Sequence, residues 1–159
     1  MTKEILTVGM SLLLALVFAT TTVPEAVAPG AAPTEEQTEQ VPEKRYYLTA
    51  DERELICEVV MAESGTEPYA GKIAVSQCIL NACEQTGKRP AKIVTEYGYT
   101  ARRVKPSAEV EKAVSAVFDD GETVTDAEIL YFYAPELVSS EWHESQTYVC
   151  TIGGHRFFA

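Results

Sequence analysis

The sequence is short of positive charge. Thirteen Lys and Arg stand against 24 Asp and Glu, for a net charge of −11. A field of that sign repels nucleic acid and anionic membrane surfaces, so neither is expected as a partner of the folded part. Histidine is scarcer still, with His143 and His155 the whole complement. His143-Glu144 opens like a zinc-protease motif, but no second His follows at the spacing a helix needs to ligate one ion. No metal and no other cofactor is expected. Glycine-rich phosphate loops of the P-loop or dinucleotide-binding type are missing. Four Cys are too few for a disulfide-built scaffold. The longest apolar run, Ile5 to Ala19, holds about fifteen residues where a membrane span needs roughly 20.

What is there divides the chain in three. The apolar run follows a single early Lys3 and precedes Ala26-Val27-Ala28, a small-x-small cleavage pattern. Residues 1–28 therefore read as a secretory signal or, uncut, as a membrane anchor, with cleavage after Ala19 as a competing site. Residues 29–45 carry three Pro and four Glu, with Val41 the only large aliphatic residue. Such a stretch cannot bury enough apolar surface to offset its ordering entropy, and reads as a linker. Residues 46–159 form the expected folded domain, at a net charge of −8. Six of its ten cations fall within residues 88–105, where Glu96 is the only acid. That stretch reads as a solvated loop or as an anion-facing lip on an acidic body.

Within the domain, helices come first and a small sheet last. Thr49 followed by Glu52 is a capping box that announces a helix ending before Gly65. Residues 67–84 predict a second helix, apolar over most of its circumference and therefore central and buried. Residues 87–105 look irregular. Ser107 caps a third helix that runs to about Asp119. Glu128–Tyr133 is dense in strand formers, and Gly153-Gly154 between Thr147–Ile152 and His155–Phe158 signals a hairpin. The fold class is α+β, with helices around a buried central helix and a small C-terminal antiparallel sheet.

One carboxylate sits among apolar residues. At about 100° per residue, with Leu55 at 0°, Val59 falls near 40°, Glu63 near 80°, Ile56 near 100° and Val60 near 140°. Glu63 thus occupies the middle of the apolar arc, in the last turn of its helix. An unpaired carboxylate there is costly to ionise, and the negative end of the helix adds to that cost. Both effects favour the protonated acid that glycosidic cleavage requires. The structural alternative is that Glu63 pairs with a cation or caps the Gly65-Thr66 turn.

The blocks AESGTEPYAGKIAVSQCILN (62–81), ILYFYAP (129–135) and TIGGHRFF (151–158), with Trp142 between the last two, resemble the SleB-type cell-wall hydrolases. These are the spore cortex-lytic enzymes and their relatives. The resemblance covers roughly residues 50–159. It implies a lysozyme-like α+β fold, cleavage of peptidoglycan glycan strands outside the cytoplasm, and Glu63 as the catalytic acid. Three features depart from the family: no peptidoglycan-binding repeat is present, Tyr97-Gly98-Tyr99-Thr100 stands where relatives often carry a Gln-Phe pair, and Ser64 and Thr66 replace expected neighbours of the acid.

A single acid suffices if the substrate's own N-acetyl or 6-hydroxyl group supplies the nucleophile. Glu67 is the candidate second carboxylate, or else a turn cap. Tyr99, Tyr131 and Tyr133 are candidates for sugar contact, the two strand tyrosines alternatively core residues. Ser64, beside the acid, is a candidate of the same kind. Gln77 and Asn81 form an i,i+4 pair that lines the cleft or makes an exposed stripe. His155 has a cleft role or packs on the sheet. Trp142 reads as a core anchor, with a sugar platform as the alternative. The rival enzyme is a cysteine-dependent wall peptidase or amidase, although Cys57, Cys78, Cys83 and Cys150 lie inside predicted helices and a strand. A Cys57–Cys150 or Cys78–Cys150 bridge fits an oxidising compartment. A non-catalytic wall-binding module is the third reading. A monomer is expected.

Overall fold

The computed structural model describes residues 45–159. The expected export segment and the linker up to residue 44 lie outside the described residues. The capping box forms as expected. Thr49 Oγ1 accepts the Glu52 N–H at 3.3 Å, the Glu52 carboxylate accepts the Thr49 N–H at 2.9 Å, and α1 runs Ala50–Ser64. Arg89 clamps this start. Its guanidinium bonds the Glu52 carboxylate, with Nε 2.8 Å from Oε1, and also reaches the Tyr47 carbonyl. That ion pair pulls the Glu52 carboxyl from its ordinary 4.5 down to about 2.

The second helix, α2 (Tyr69–Thr86), is the axis of the domain: every residue from Gly71 to Cys83 is buried. A helix closed in on all sides must pair each polar side chain it carries. Ser76 Oγ donates to the Lys72 carbonyl at 2.8 Å. Gln77 accepts the Val124 N–H at 3.0 Å and donates to the Thr125 carbonyl at 2.9 Å. Asn81 donates to the Ile129 carbonyl at 2.9 Å. The pair therefore holds the chain from 124 to 129 against the helix, and it lines a second cavity formed with that chain, not an exposed stripe.

Residues 87–105 are not wholly irregular. A short α3 spans Pro90–Glu96, with Pro at its first position, where a missing N–H costs nothing. α4 (Ala108–Phe118) starts as expected, with Ser107 Oγ accepting the Val110 N–H at 3.3 Å. The expected first strand shortens to β1 (Tyr131–Tyr133), and an unforeseen single turn of helix, α5 (Glu141–Glu144), precedes the hairpin. β2 (Tyr148–Ile152) and β3 (His155–Phe158) flank the Gly-Gly turn, and the antiparallel sheet has the order β1-β3-β2. Phe132 pairs in register with Phe157, and Tyr133 with Arg156. Phe132, His155 and Phe157 meet one another on the inner face, while Tyr133, Tyr148 and Phe158 cluster on the outer one.

The turn between α1 and α2 is fastened from two sides. Glu67 Oε2 accepts the Gly154 N–H at 2.8 Å, and its Oε1 lies 3.6 Å from His155 Nδ1. Its main-chain carbonyl accepts from Lys72 Nζ, which also meets Glu109 Oε2 at 3.0 Å. Lys72 is 2% exposed, so its charge requires these partners. Gly153 has φ +57°, and a Cβ there would stand 1.8 Å from Glu67 Oε2. The cysteines are free thiols, and neither anticipated bridge is formed. Among the described residues, no helix is long and apolar enough to cross a membrane.

Gly153→Ala must expel the Glu67 carboxylate and hold an L-residue at positive φ. It should lose roughly 2–4 kcal/mol in urea unfolding, against a smaller loss for Glu67→Gln. The Glu52 carboxyl is lowered in the folded state, so its stabilisation is present above pH 4.5 and is lost as pH falls toward about 2. Glu52→Gln should flatten that limb of the thermal midpoint against pH. An unchanged acid limb would mean the clamp contributes nothing.

Candidate active site

Glu63 lies in the last turn of α1, one turn beyond Val59 and Val60, which are fully buried. The apolar arc on which it sits runs past the end of the core and into a cleft of about 400 Å³. Glu63 is half-buried there, not enclosed, and it neither pairs with a cation nor caps the following turn. Its Oε1 accepts the Thr100 N–H at 2.6 Å. No other described protein group bonds its carboxyl, so one oxygen is fixed and the second is unclaimed.

One wall of the cleft is made by the end of α3 and the short segment after it: Glu96, Tyr97, Gly98 and Tyr99. The facing wall is Leu130, Tyr131 and Phe132 with Trp142 and His143 of α5. The Tyr97 and Tyr131 rings stack at 5.7 Å and 16°, which ties the walls together. Trp142 meets Tyr131 edge-on at 4.9 Å and is 54% exposed. It is a platform on the cleft and not the core anchor expected of it. Burial pushes the His143 imidazole down from its ordinary range, against a smaller opposing effect of Glu144, which leaves it neutral near pH 7. Ser140 Oγ lies 2.7 Å from its Nδ1. Lys88 Nζ holds Glu96 Oε2 at 2.5 Å.

Of the residues expected at the site, the structure brings together Glu63, Tyr99 and Tyr131. Tyr99 contributes its ring to the wall, 5.8 Å from Phe132, but its hydroxyl is buried without a hydrogen-bond partner. Burial first, then the nearby Cys78 and Glu63, keeps that phenol protonated. The others serve the scaffold. Ser64 is buried and donates to the Val60 carbonyl at 2.9 Å. Glu67 gives its carboxyl to the distant hairpin turn, outside the cleft, and caps neither its own turn nor the start of α2. Gln77 and Asn81 bond backbone carbonyls on another side of α2. Tyr133 donates to Glu144 and stacks on Phe158, so it belongs to the outer face of the sheet. His155 is buried against Phe132 and beside Glu67, the sheet-packing alternative.

Sequence reasoning missed Glu96, Tyr97, Gly98, Leu130, Phe132 and His143 as cleft residues and Thr100 as the partner of Glu63, while Trp142, read first as a core anchor, also lines the cleft. The only available signal was their sequence proximity to residues already singled out. None of the cysteines lines the cleft. Burial pushes the Cys57 and Cys83 thiols up to about 11, and those of Cys78 and Cys150 also rise, which is unfavourable for a nucleophilic thiolate.

Known proteins share this fold. The catalytic domain of the Bacillus cereus SleB protein superposes with a TM-score of 0.59 at 24% identity, over 71% of this chain and 93% of that one. The catalytic domain of the germination-specific lytic transglycosylase SleB from Bacillus anthracis gives 0.57 at 23% identity, over 70% and 97%. The lysozyme-like α+β fold expected from the sequence is therefore the fold of this chain. No curated protein matches it. Residues 66–158 match the family described as Cell Wall Hydrolase, a stretch that begins three residues after Glu63 and takes in the rest of the cleft. That match covers more than half of the 159 residues, and the chain belongs to the cell wall hydrolase family.

Proposed function

We propose that this protein cleaves the glycan strands of peptidoglycan, with Glu63 as its general acid and base. The observation that carries the reading is the half-buried Glu63 carboxyl in the cleft, fixed through one oxygen by Thr100 and unclaimed at the other. Family membership and the two SleB catalytic domains of the same fold support it. Tyr131 and Trp142 offer the faces on which pyranose rings stack. Glu63 protonates the glycosidic oxygen between two sugars. The leaving oxygen keeps that proton, and the carboxylate then takes one from the nucleophile. When the nucleophile is the substrate's own 6-hydroxyl, the product is an anhydromuramic end. When it is water, the product is a reducing end.

Glu67 is already engaged at the hairpin turn, which favours the single-acid route to the anhydro product. A second reading rests on Glu96, whose carboxylate lines the same cleft and gives a two-carboxylate hydrolase a candidate partner. The lack of a cleft cysteine weighs against the cysteine peptidase. The reading also places the protein outside the cytoplasm, in keeping with an export segment at residues 1–28.

Glu63→Gln should lower the release of soluble muropeptides by roughly 100- to 10,000-fold at an unchanged thermal midpoint. A folded variant that still solubilises peptidoglycan overturns the assignment. Mass spectrometry of the products separates the two routes. Anhydromuramic ends support the 6-hydroxyl route. Reducing ends that vanish in Glu96→Gln support the two-carboxylate hydrolase. Wild-type binding to peptidoglycan with no fragment released would make the chain a wall-binding module.

A further inference from the structure

Almost every cation in the folded part has a partner. Arg45 pairs with Glu84, Arg53 with Asp119, Lys72 with Glu109 and Arg156 with Glu144. Lys88, Arg89 and Arg103 pair with Glu96, Glu52 and Glu58, and Lys112 lies over the Tyr69 ring. Among the described residues three side-chain cations are left with none: Lys92, Arg102 and Lys105, all exposed. On a domain at −8 this is an uneven outcome, because carboxylates are in excess everywhere else.

The three lie on the chain between the start of α3 and the residues just before α4. Lys92 lies one helical turn before Glu96 on α3. Arg102 is anchored just beyond Tyr99, its N–H donating to Thr100 Oγ1 at 3.1 Å, and Lys105 comes three residues later. Between them runs the cleft wall Glu96–Tyr99, and Thr100 is the residue that bonds Glu63. In the chain, Lys92 thus precedes the Glu96–Tyr99 wall and Arg102 and Lys105 follow it.

We propose that this lip binds the carboxylates of the acidic peptides borne by a peptidoglycan strand lying in the cleft. The inference rests on the glycan-cleaving reading and adds a preference for peptide-bearing strands over bare glycan. A phosphate-rich wall polymer would also meet three cations. Only the strand's own peptides, however, are covalently fixed beside the sugars the cleft holds. An extended peptide covers about 3.3–3.6 Å per residue, so a few residues span from the cleft to the lip. The domain's net charge repels anions at large, and the lip makes the attraction local.

The test uses the full chain, the triple variant Lys92→Ala, Arg102→Ala, Lys105→Ala, and each of these with Glu63→Gln. Substrates, immobilised on the same support, are peptide-bearing glycan strands and the same strands with their peptides removed by an amidase and the freed lactyl carboxyls amidated. The Glu63→Gln chain should bind the peptide-bearing strands about tenfold more tightly than the stripped strands, and the advantage should fade as salt is raised. The triple variant should lose that advantage, so that binding to the two materials converges. With Glu63 present, its half-saturating substrate concentration should rise on peptide-bearing material, while the maximal rate stays unchanged. An equal loss on both substrates, no loss, or wild-type binding displaced by a phosphodiester polymer but not by acidic peptide would overturn the proposal. A wild-type chain that prefers peptide-bearing material yet cleaves neither would instead overturn the glycan-cleaving reading and leave the lip standing.

Discussion

The arrangement depends on a joint between α1 and α2. Lys72 is buried and must be held by oxygen, and it takes the main-chain carbonyl of Glu67 and the carboxylate of Glu109. Glu67 in turn gives its side chain to the N–H of Gly154. One residue thus fixes the entry to the central helix, and through its two ends it engages α4 and the hairpin. Glu63 stands four residues upstream, on the short stretch whose course this joint sets. Removing Glu109 would leave the buried Lys72 ammonium short of its charged partner, and removing the Glu67 carboxylate would free the hairpin turn, so the parts of the joint support one another.

Around it, the division of labour among polar residues is strict. The uncharged polar side chains on the buried stretch of α2, Ser76, Gln77 and Asn81, go to backbone partners, because that stretch is closed on all sides. The sheet has one face on this core and one outside, where Arg156 lies over the Tyr148 ring and pairs with Glu144. The cleft forms where two short pieces face each other: the end of α3, and β1 with the single-turn α5. Both are small elements leaning on larger ones. The stacking of Tyr97 on Tyr131 is a direct side-chain tie across the gap.

Local signals were legible in the sequence. The Thr49–Glu52 box, the Ser107 cap, the apolar circumference of α2 and the Gly153-Gly154 turn each state their geometry within a few residues, and each formed. Glu63 could be found because the helical period is a local rule. Whether it is enclosed or opens on a cleft depends on where the packing partner stops, which no period encodes. Gln77 and Asn81 were misread for the same reason: a polar pair on a helix looks alike whether it faces water or the carbonyls of a distant loop. Tyr131 and Tyr133 share a strand face, yet only the first reaches the cleft, because α5 covers the second. α3 was obscured by its charge density, although Pro90 marked its start.

The bond from Thr100 to Glu63 joins two roles that a catalytic site often keeps apart. The carboxyl that is proposed to move a proton is also the fastening for the segment that forms the facing wall. Any rotation of that carboxyl toward a substrate oxygen changes the hold on Thr100, and with it the set of Tyr97 and Tyr99. Under the proposed function, proton delivery and the width of the groove are then coordinates of one motion.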